Sequence, residues 1–213
     1  MNKKKFKIVS VSKTRYILPS VLTLVGVCLG ISSIKFAMDG NFTFAVLFLI
    51  VAAILDGLDG RVARLIKGTS NFGKELDSLT DVISFGVAPA FIMYFWKLNT
   101  LGRFGWLVCL IFVICVALRL ARFNVNSGQE PSWRDNFFEG VPSPAGGILV
   151  LTPLIFSMTN FEFIPINYDI VVPIFFIATS FLLISKFPSY SFKKIVIQRK
   201  TTIFLLFGIV LFF

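Results

Sequence analysis

Residues 55–81 read LDGLDGRVARLIKGTSNFGKELDSLTD and lie between two long apolar runs. Charged side chains within such runs are costly unless something compensates them. Within this stretch, two sets of acidic, small and basic residues stand on either side of a short polar turn. In each set the residues recur at steps of three and four, so they share one helix face. The first set is Asp56, Asp59, Gly60, Ala63 and Arg64, and the second is Gly73, Asp77 and Asp81.

The four aspartates are expected to lie in one layer of a membrane. At about 1.5 Å of rise per residue from position 42, Asp56 and Asp59 lie roughly 21 and 26 Å deep. Counted backwards from position 97, Asp81 and Asp77 lie roughly 24 and 30 Å deep, in a hydrocarbon core about 30 Å thick. Two antiparallel helices would therefore bring all four carboxylates together near the inner face.

This cluster predicts a metal and phosphate site. Four like charges repel one another unless cations hold them, and oxygen ligands without Cys or His favour Mg²⁺, Mn²⁺ or Ca²⁺ over zinc. Gly60 and Gly73 leave room for a ligand to press against the helices, and the Arg64 fork suits a phosphate. The alternative is a set of buried Asp–Arg pairs that only fix helix packing. Because the chain has no histidine, a carboxylate is the natural proton acceptor.

The composition predicts an all-α, polytopic membrane helix bundle. Of the 213 residues 56% are hydrophobic, and the mean hydropathy of +0.83 is too high for an ordinary soluble domain. A C-terminal apolar run at 202–213 is short for a span, so we expect an interfacial segment or a partial seventh helix. The apolar runs predict six core transmembrane helices, at about 17–38, 42–66, 75–97, 104–125, 144–160 and 168–185.

Basic residues predict the orientation of the bundle. Of the 21 Lys and Arg residues, only Lys35, Lys97 and Arg103 fall on one side, so both ends of the six-helix core should face the cytoplasm. Residues 1–15 are basic and predict either a juxtamembrane amphipathic helix or a solvated tail. The net charge of +10 is explained by this topology and by anionic lipid, and we expect no nucleic-acid partner.

Arg119 and Arg122 stand three residues apart near the end of the fourth predicted helix, on one face and at the depth of the aspartates. They indicate either an anion-binding site or side chains that snorkel to lipid headgroups. Ser143 lies in the run EGVPSPAGG at 139–147. Its prolines indicate a rigid helix start, which either only caps the helix or forms a wall of the substrate site.

The spacing Asp-x2-Asp-Gly-x2-Ala-Arg-x8-Gly-x3-Asp-x3-Asp, beginning at Asp56, resembles the signature of the CDP-alcohol phosphotransferase family, and all eight signature positions match. These integral membrane enzymes move a phosphatidyl or similar group from a CDP-linked donor to an alcohol. The runs SFGVAPA at 84–90, RLARFN at 119–124 and EGVPSPAGG are similar to the phosphatidylserine synthase branch. One departure is Ser20, where that pattern has Asn after Leu-Pro.

The resemblance implies a division of roles among these residues. CDP-diacylglycerol would be the donor and L-serine the acceptor, with two divalent ions, Mg²⁺ or Mn²⁺ and otherwise Ca²⁺. The metal ligands would be Asp56, Asp59 and Asp77, with Asp81 as a further ligand or as the catalytic base. The donor residues would be Gly60, Arg64 and Gly73, and the acceptor residues Arg119, Arg122 and Ser143.

The resemblance also implies a homodimer that transfers the group by direct displacement. The enzyme domain would cover residues 16–195, between the basic segment 1–15 and the apolar segment 196–213. It would lie in the plasma membrane, with its active site facing the cytoplasm. Two alternatives remain: the same chemistry with glycerol 3-phosphate or inositol phosphate as acceptor, or a divalent-cation transporter with an aspartate ring. The glycines and Arg64 argue against the transporter, since a cation pathway gains nothing from a phosphate-binding arginine.

Overall fold

The computed structural model describes residues 11–66, 70–126, 137–139, 141–159, 167–185 and 188–190. The described chain is helical apart from two three-residue strands, β1 (Phe137–Glu139) and β2 (Pro188–Tyr190), which pair antiparallel and were not part of the all-α prediction. The helices are α1 (Val11–Met38), α2 (Phe42–Leu65), α3 (Asn71–Asp81), α4 (Ala88–Trp96), α5 (Arg103–Asn126), α6 (Ser143–Val150), α7 (Thr152–Met158) and α8 (Tyr168–Ile184).

Four helical stretches of the described chain are long and apolar enough to cross a membrane: Leu18–Met38, Phe42–Leu65, Asn71–Trp96 and Arg103–Val125. They correspond to the first four predicted spans. The third begins at Asn71 rather than at residue 75, because the Ser70 hydroxyl accepts a hydrogen bond from the Gly73 N–H (2.9 Å) and so caps an earlier helix start. The first begins at Val11, so the end of the predicted basic tail is helical.

The fifth and sixth predicted spans are shorter in the structure. The stretch predicted as one helix at 144–160 is divided at Leu151 into α6 and α7. Pro153 explains the division, because it has no N–H to donate to the preceding turn. Helix α8 has 17 residues, or about 26 Å, against a hydrocarbon core of about 30 Å. The segment 196–213 lies outside the described residues.

A π-helical segment, Val82–Val87, joins α3 to α4 directly after Asp81. In the sequence, Pro89 predicts a kink in this helix, and the structure has the wider π turn just before that proline. Proline cannot donate to the carbonyl four residues earlier, which belongs to Phe85. Such π turns occur frequently at functional sites, and here the irregular backbone begins at an acidic residue of the predicted site.

The π segment is enclosed by neighbouring helices through glycine contacts. A methyl group on Gly30 of α1 would lie 2.8 Å from the Ser84 hydroxyl oxygen, and one on Gly147 of α6 would lie 3.1 Å from the Phe85 carbonyl oxygen. Only glycine permits these approaches. They hold α1 and α6 against the turn that follows Asp81.

The apolar core lies between α2, α4, α5 and α8. Phe112 and Phe176 are fully buried and meet edge to face with ring centroids 5.3 Å apart, a favourable geometry for aromatic pairs. Other large apolar side chains point outwards, including Ile114 (56% exposed) and Phe181 (72% exposed). This outer surface suits a lipid environment better than water.

Candidate metal and substrate site

Three of the predicted aspartates converge, two from α2 and one from α3. Asp56, Asp59 and Asp77 each offer a carboxylate oxygen, and the three oxygens lie within 4.8 Å of one another. The two ion pairs found among the described residues are Lys35–Asp39 and Lys97–Asp169, so no basic side chain of that part of the chain forms an ion pair with this group. We call Asp56, Asp59 and Asp77 the aspartate cluster.

The aspartate cluster fits a hard divalent cation. Its donors are carboxylate oxygens, which suit Mg²⁺, Mn²⁺ or Ca²⁺. The Oδ1 atom of Asp77 is buried and has no hydrogen-bond partner within the described ranges. Buried polar atoms are normally paired, and a bound ion is one way to satisfy such an atom. The geometry therefore supports a metal site formed by these three carboxylates. The number and the kind of ions stay a prediction.

Asp81 lies beside the aspartate cluster, at the junction of α3 and the π segment. It is 9% exposed, and its side chain lies near that of Asp56, since both line one small cavity. Asp81 lines a small cavity of about 10 Å³ together with Thr23, Asp56 and Ser84. Its carboxylate oxygens are not among the three that converge. Whether Asp81 binds a metal or acts as the catalytic base therefore stays a prediction.

A larger cleft of about 290 Å³ adjoins the aspartate cluster. Asp59 and Asp77 form part of its wall, and all three residues predicted to hold the donor line it as well. The structure thus brings two of the predicted metal residues, Asp59 and Asp77, and all three predicted donor residues to one cavity. Its lining residues are Pro19, Ser20, Thr23, Asp59, Gly60, Ala63, Arg64, Ser70, Gly73, Lys74 and Asp77.

The two glycines of the cleft differ in what surrounds them. A methyl group added to Gly60 would meet no heavy atom within 4 Å, whereas one on Gly73 would lie 3.2 Å from the Ser70 hydroxyl oxygen. Packing among the described residues therefore does not require glycine at position 60, and the space beside it is available to a ligand. Gly73 serves the helix cap as well as the cleft.

The structure places the three predicted acceptor residues in two separate contacts. The Nη1 of Arg119 donates to the Ser143 hydroxyl (2.6 Å), and Ser143 is fully buried. The Nε of Arg119 is buried and has no partner in the described part of the chain. Arg122 donates from Nη1 to the Ile184 carbonyl (2.9 Å) at the end of α8. Arg119 and Ser143 thus form one unit, whereas Arg122 ties α5 to α8.

Three features of the site were not found from the sequence. The Thr23 hydroxyl on α1 donates to Asp59 Oδ2 (2.7 Å), and Lys74 lines the cleft. Ser78, next to Asp77, exchanges hydrogen bonds with Asn124 of α5. The position of Lys74 could have been predicted from the sequence, since it directly follows Gly73. The other two contacts join helices far apart in the sequence and could not have been predicted in this way.

Comparison with known proteins identifies a family that matches most of this chain. A family model described as CDP-alcohol phosphatidyltransferase matches residues 16–184, a range that includes every predicted site residue.

Curated relatives named CDP-diacylglycerol--serine O-phosphatidyltransferase occur in several bacteria. The chain is 46% identical to that of Mycobacterium leprae over 137 residues, 63% of this chain and 45% of the relative. It is 38% identical to that of Helicobacter pylori over 198 residues, 93% of this chain and 82% of the relative. For Bacillus subtilis the identity is 33% over 177 residues, 83% and 92% of the two chains. The match covers about half the length of the mycobacterial relatives.

Proposed function

Because the chain belongs to the CDP-alcohol phosphatidyltransferase family, we propose that it transfers the phosphatidyl group of CDP-diacylglycerol to the hydroxyl of L-serine, giving phosphatidylserine and CMP. The observation that carries the proposal is one cleft in which Asp59 and Asp77 of the aspartate cluster meet Gly60, Arg64 and Gly73. The choice of serine is supported by the names of the relatives.

The aspartate cluster would hold two divalent ions, Mg²⁺ or Mn²⁺, with Asp81 completing the second site or acting as base. When bound, such ions would neutralise the pyrophosphate and stabilise charge on the attacking and leaving oxygens. The cluster itself gathers the ligands from two helices, so that α2 and α3 must pack correctly before the site exists.

The donor would bind in the cleft with its pyrophosphate near Arg64. An arginine fork can contact two phosphate oxygens at once, and Lys74 adds a second positive charge to the same cavity. The open space at Gly60 would admit the CDP part close to the α2 backbone. The diacylglycerol chains would extend into the surrounding lipid.

Transfer would be a direct displacement. The serine hydroxyl oxygen forms a bond to the diacylglycerol-linked phosphorus, and the bond from that phosphorus to the bridging oxygen of CMP breaks. The hydroxyl proton passes to the Asp81 carboxylate, and CMP leaves with the bridging oxygen. Asp81 suits this role because it is buried beside the aspartate cluster without belonging to it.

The serine carboxylate needs a cation where it is desolvated, and Arg119 is our candidate. Its Nη1 is held by buried Ser143, which fixes the guanidinium, while its buried Nε still lacks a partner among the described residues. A ligand carboxylate would satisfy that atom. Arg122 would support the same site indirectly by fixing α5 to α8.

The surrounding architecture is part of the proposal. Residues 16–195 would form the membrane domain with six spans, of which α6 with α7 and α8 supply the last two, flanked by the segments 1–15 and 196–213. The basic residues and the four apolar helices support an integral protein of the plasma membrane with the cleft facing the cytoplasm. By family resemblance the protein would act as a homodimer.

Replacement of Gly60 by alanine is expected to raise the apparent KM for CDP-diacylglycerol about tenfold or more. A methyl group in space used by a ligand costs roughly 1–3 kcal/mol, while the helix itself gains about 0.5–1 kcal/mol from the loss of glycine. Initial rates and the Tm in detergent measure the two effects. The matched control is Gly57→Ala, also free of contacts and one turn earlier on the same helix but outside the cleft. Equal KM values in both variants would contradict a donor site at Gly60.

Replacement of Arg119 by lysine is expected to raise the apparent KM for serine about ten- to more than a hundredfold, with little change for CDP-diacylglycerol. Losing a hydrogen bond to a charged group is worth roughly 1.5–3 kcal/mol, and lysine lacks the guanidinium fork. Arg103→Lys, at the exposed start of the same helix, is the control. Arg122→Lys should have a smaller effect because of its bond to Ile184. Equal weakening toward both substrates in Arg119→Lys would instead assign Arg119 to the donor phosphates.

Serine incorporation into lipid tests the proposed function against the transporter alternative. Purified full-length protein in liposomes with CDP-diacylglycerol, Mn²⁺ and radiolabelled serine is expected to give labelled phosphatidylserine. Divalent-ion flux across the same liposomes without any labelled lipid would overturn the proposal.

A further inference from the structure

Thr23 connects α1 to the aspartate cluster. Its side chain is 9% exposed, and its Oγ1 lies 2.7 Å from Asp59 Oδ2 and 3.0 Å from the Pro19 carbonyl oxygen. Thr23 lines both the small cavity beside Asp81 and the larger cleft. It therefore occupies the boundary between the proposed base and the proposed donor site.

The Thr23 hydroxyl has one hydrogen, and the two possible acceptors are not equivalent. A helical carbonyl such as that of Pro19 already accepts the backbone N–H four residues later. The Asp59 carboxylate carries charge and only accepts, so its hydrogen bond is the stronger one. The shorter distance to Asp59 agrees with this order.

A donor fixed on one oxygen of Asp59 restricts the rotation of that carboxylate. Asp59 is itself 5% exposed, and within the described ranges Thr23 is the side chain that hydrogen-bonds to it. Hydrogen bonds of this kind orient metal ligands and raise their effectiveness. The remaining lone pairs of Asp59 are left for an ion shared with Asp56 and Asp77.

We propose that Thr23 is a positioning residue, which orients the Asp59 carboxylate for divalent-ion binding by donating its hydroxyl hydrogen from α1. The inference rests on the proposed function in so far as the aspartate cluster binds a metal. The metal site would then depend on three helices, because α2 and α3 supply the carboxylates and α1 supplies the hydroxyl that orients one of them.

The test measures Mn²⁺ affinity directly in purified, full-length protein without substrate, by electron paramagnetic resonance of free Mn²⁺. Thr23→Val removes the hydroxyl at nearly constant volume and is expected to weaken Mn²⁺ binding about ten- to a hundredfold. Thr23→Ser keeps the hydroxyl and should stay within about threefold of the unmodified protein. Thr179→Val is the control, since Thr179 is also buried but, among the described residues, donates its hydroxyl to the Phe175 carbonyl of its own helix.

Turnover gives a second readout. High Mn²⁺ should restore most of the activity of Thr23→Val, which a general packing defect would not permit. If Thr23→Val does not fold, as judged by gel filtration, Thr23→Ala carries the same comparison. Unchanged Mn²⁺ affinity in a folded variant without the hydroxyl would overturn the role of Thr23 and leave the metal site standing. Failure of the unmodified protein to bind Mn²⁺ would instead overturn the metal site and, with it, this inference.

Discussion

Replacement of Asp81 by asparagine is expected to lower turnover about 10²- to 10⁴-fold, the usual contribution of a general base. Asparagine preserves the size of the side chain, but it cannot accept a proton as the proposed base would. Because Asp81 lies outside the three converging oxygens, binding of Mn²⁺ and CDP-diacylglycerol should be largely retained. Single-turnover rates, Mn²⁺ titration and donor binding separate these effects.

Asp77→Asn is the matched comparison for Asp81→Asn, one helical turn earlier on α3. Asp77 belongs to the aspartate cluster, so its replacement should weaken Mn²⁺ binding as well as turnover. If Asp81→Asn weakens Mn²⁺ and donor binding as strongly as Asp77→Asn does, Asp81 is chiefly a ligand and the base lies elsewhere.

Removal of divalent ions is the second change with a very large expected effect. Charge stabilisation worth several kcal/mol, at about 1.4 kcal/mol per tenfold in rate, corresponds to roughly a thousandfold loss of turnover or more. Chelator-treated protein should also have a lower Tm than protein with Mn²⁺, because an ion that binds only the folded state stabilises it. Rates and thermal unfolding in detergent measure both quantities.

Two variants connect the effect of divalent ions to the aspartate cluster. The rise in Tm on adding Mn²⁺ should disappear in Asp59→Asn. It should persist in Asp39→Asn, which alters an exposed carboxylate already paired with Lys35. Full turnover after chelation, together with an unchanged Tm, would contradict metal-dependent transfer.

The convergence of Asp56, Asp59 and Asp77 was predictable from the sequence because helical spacing and a similar membrane depth together bring the two sets of residues to one layer. Steps of three and four residues place the side chains of each set on one face of its helix. The same reasoning placed Gly60, Arg64 and Gly73 nearby, and these three residues line one cleft, while their role in donor binding stays a prediction.

Contacts between distant helices could not be predicted in this way. Thr23 and Asp59 are 36 positions apart, and no periodicity within α1 indicates which residue of α2 it meets. Arg119 and Arg122 share a face by spacing, yet their partners, Ser143 and Ile184, belong to different helices. Spacing predicts a common face but not the neighbour that each side chain finds there.

Helix irregularities were predicted only where proline marked them, and then imperfectly. Pro89 predicts a kink in the third span but not its form as a π segment, against which α1 and α6 pack closely. Hydropathy alone made residues 144–160 one helix, although Pro153 divides it. Hydropathy reports burial in lipid and is insensitive to the loss of a single backbone hydrogen bond.

An acceptor competition with the purified, full-length protein tests the central claim most directly. CDP-diacylglycerol and Mn²⁺ would be supplied with equal concentrations of L-serine, glycerol 3-phosphate and inositol phosphate, and the lipid products and CMP measured by mass spectrometry. The proposed function predicts phosphatidylserine as the main lipid product, with one CMP released for each molecule formed. Products from glycerol 3-phosphate or inositol phosphate without phosphatidylserine would contradict the assignment of serine as the acceptor.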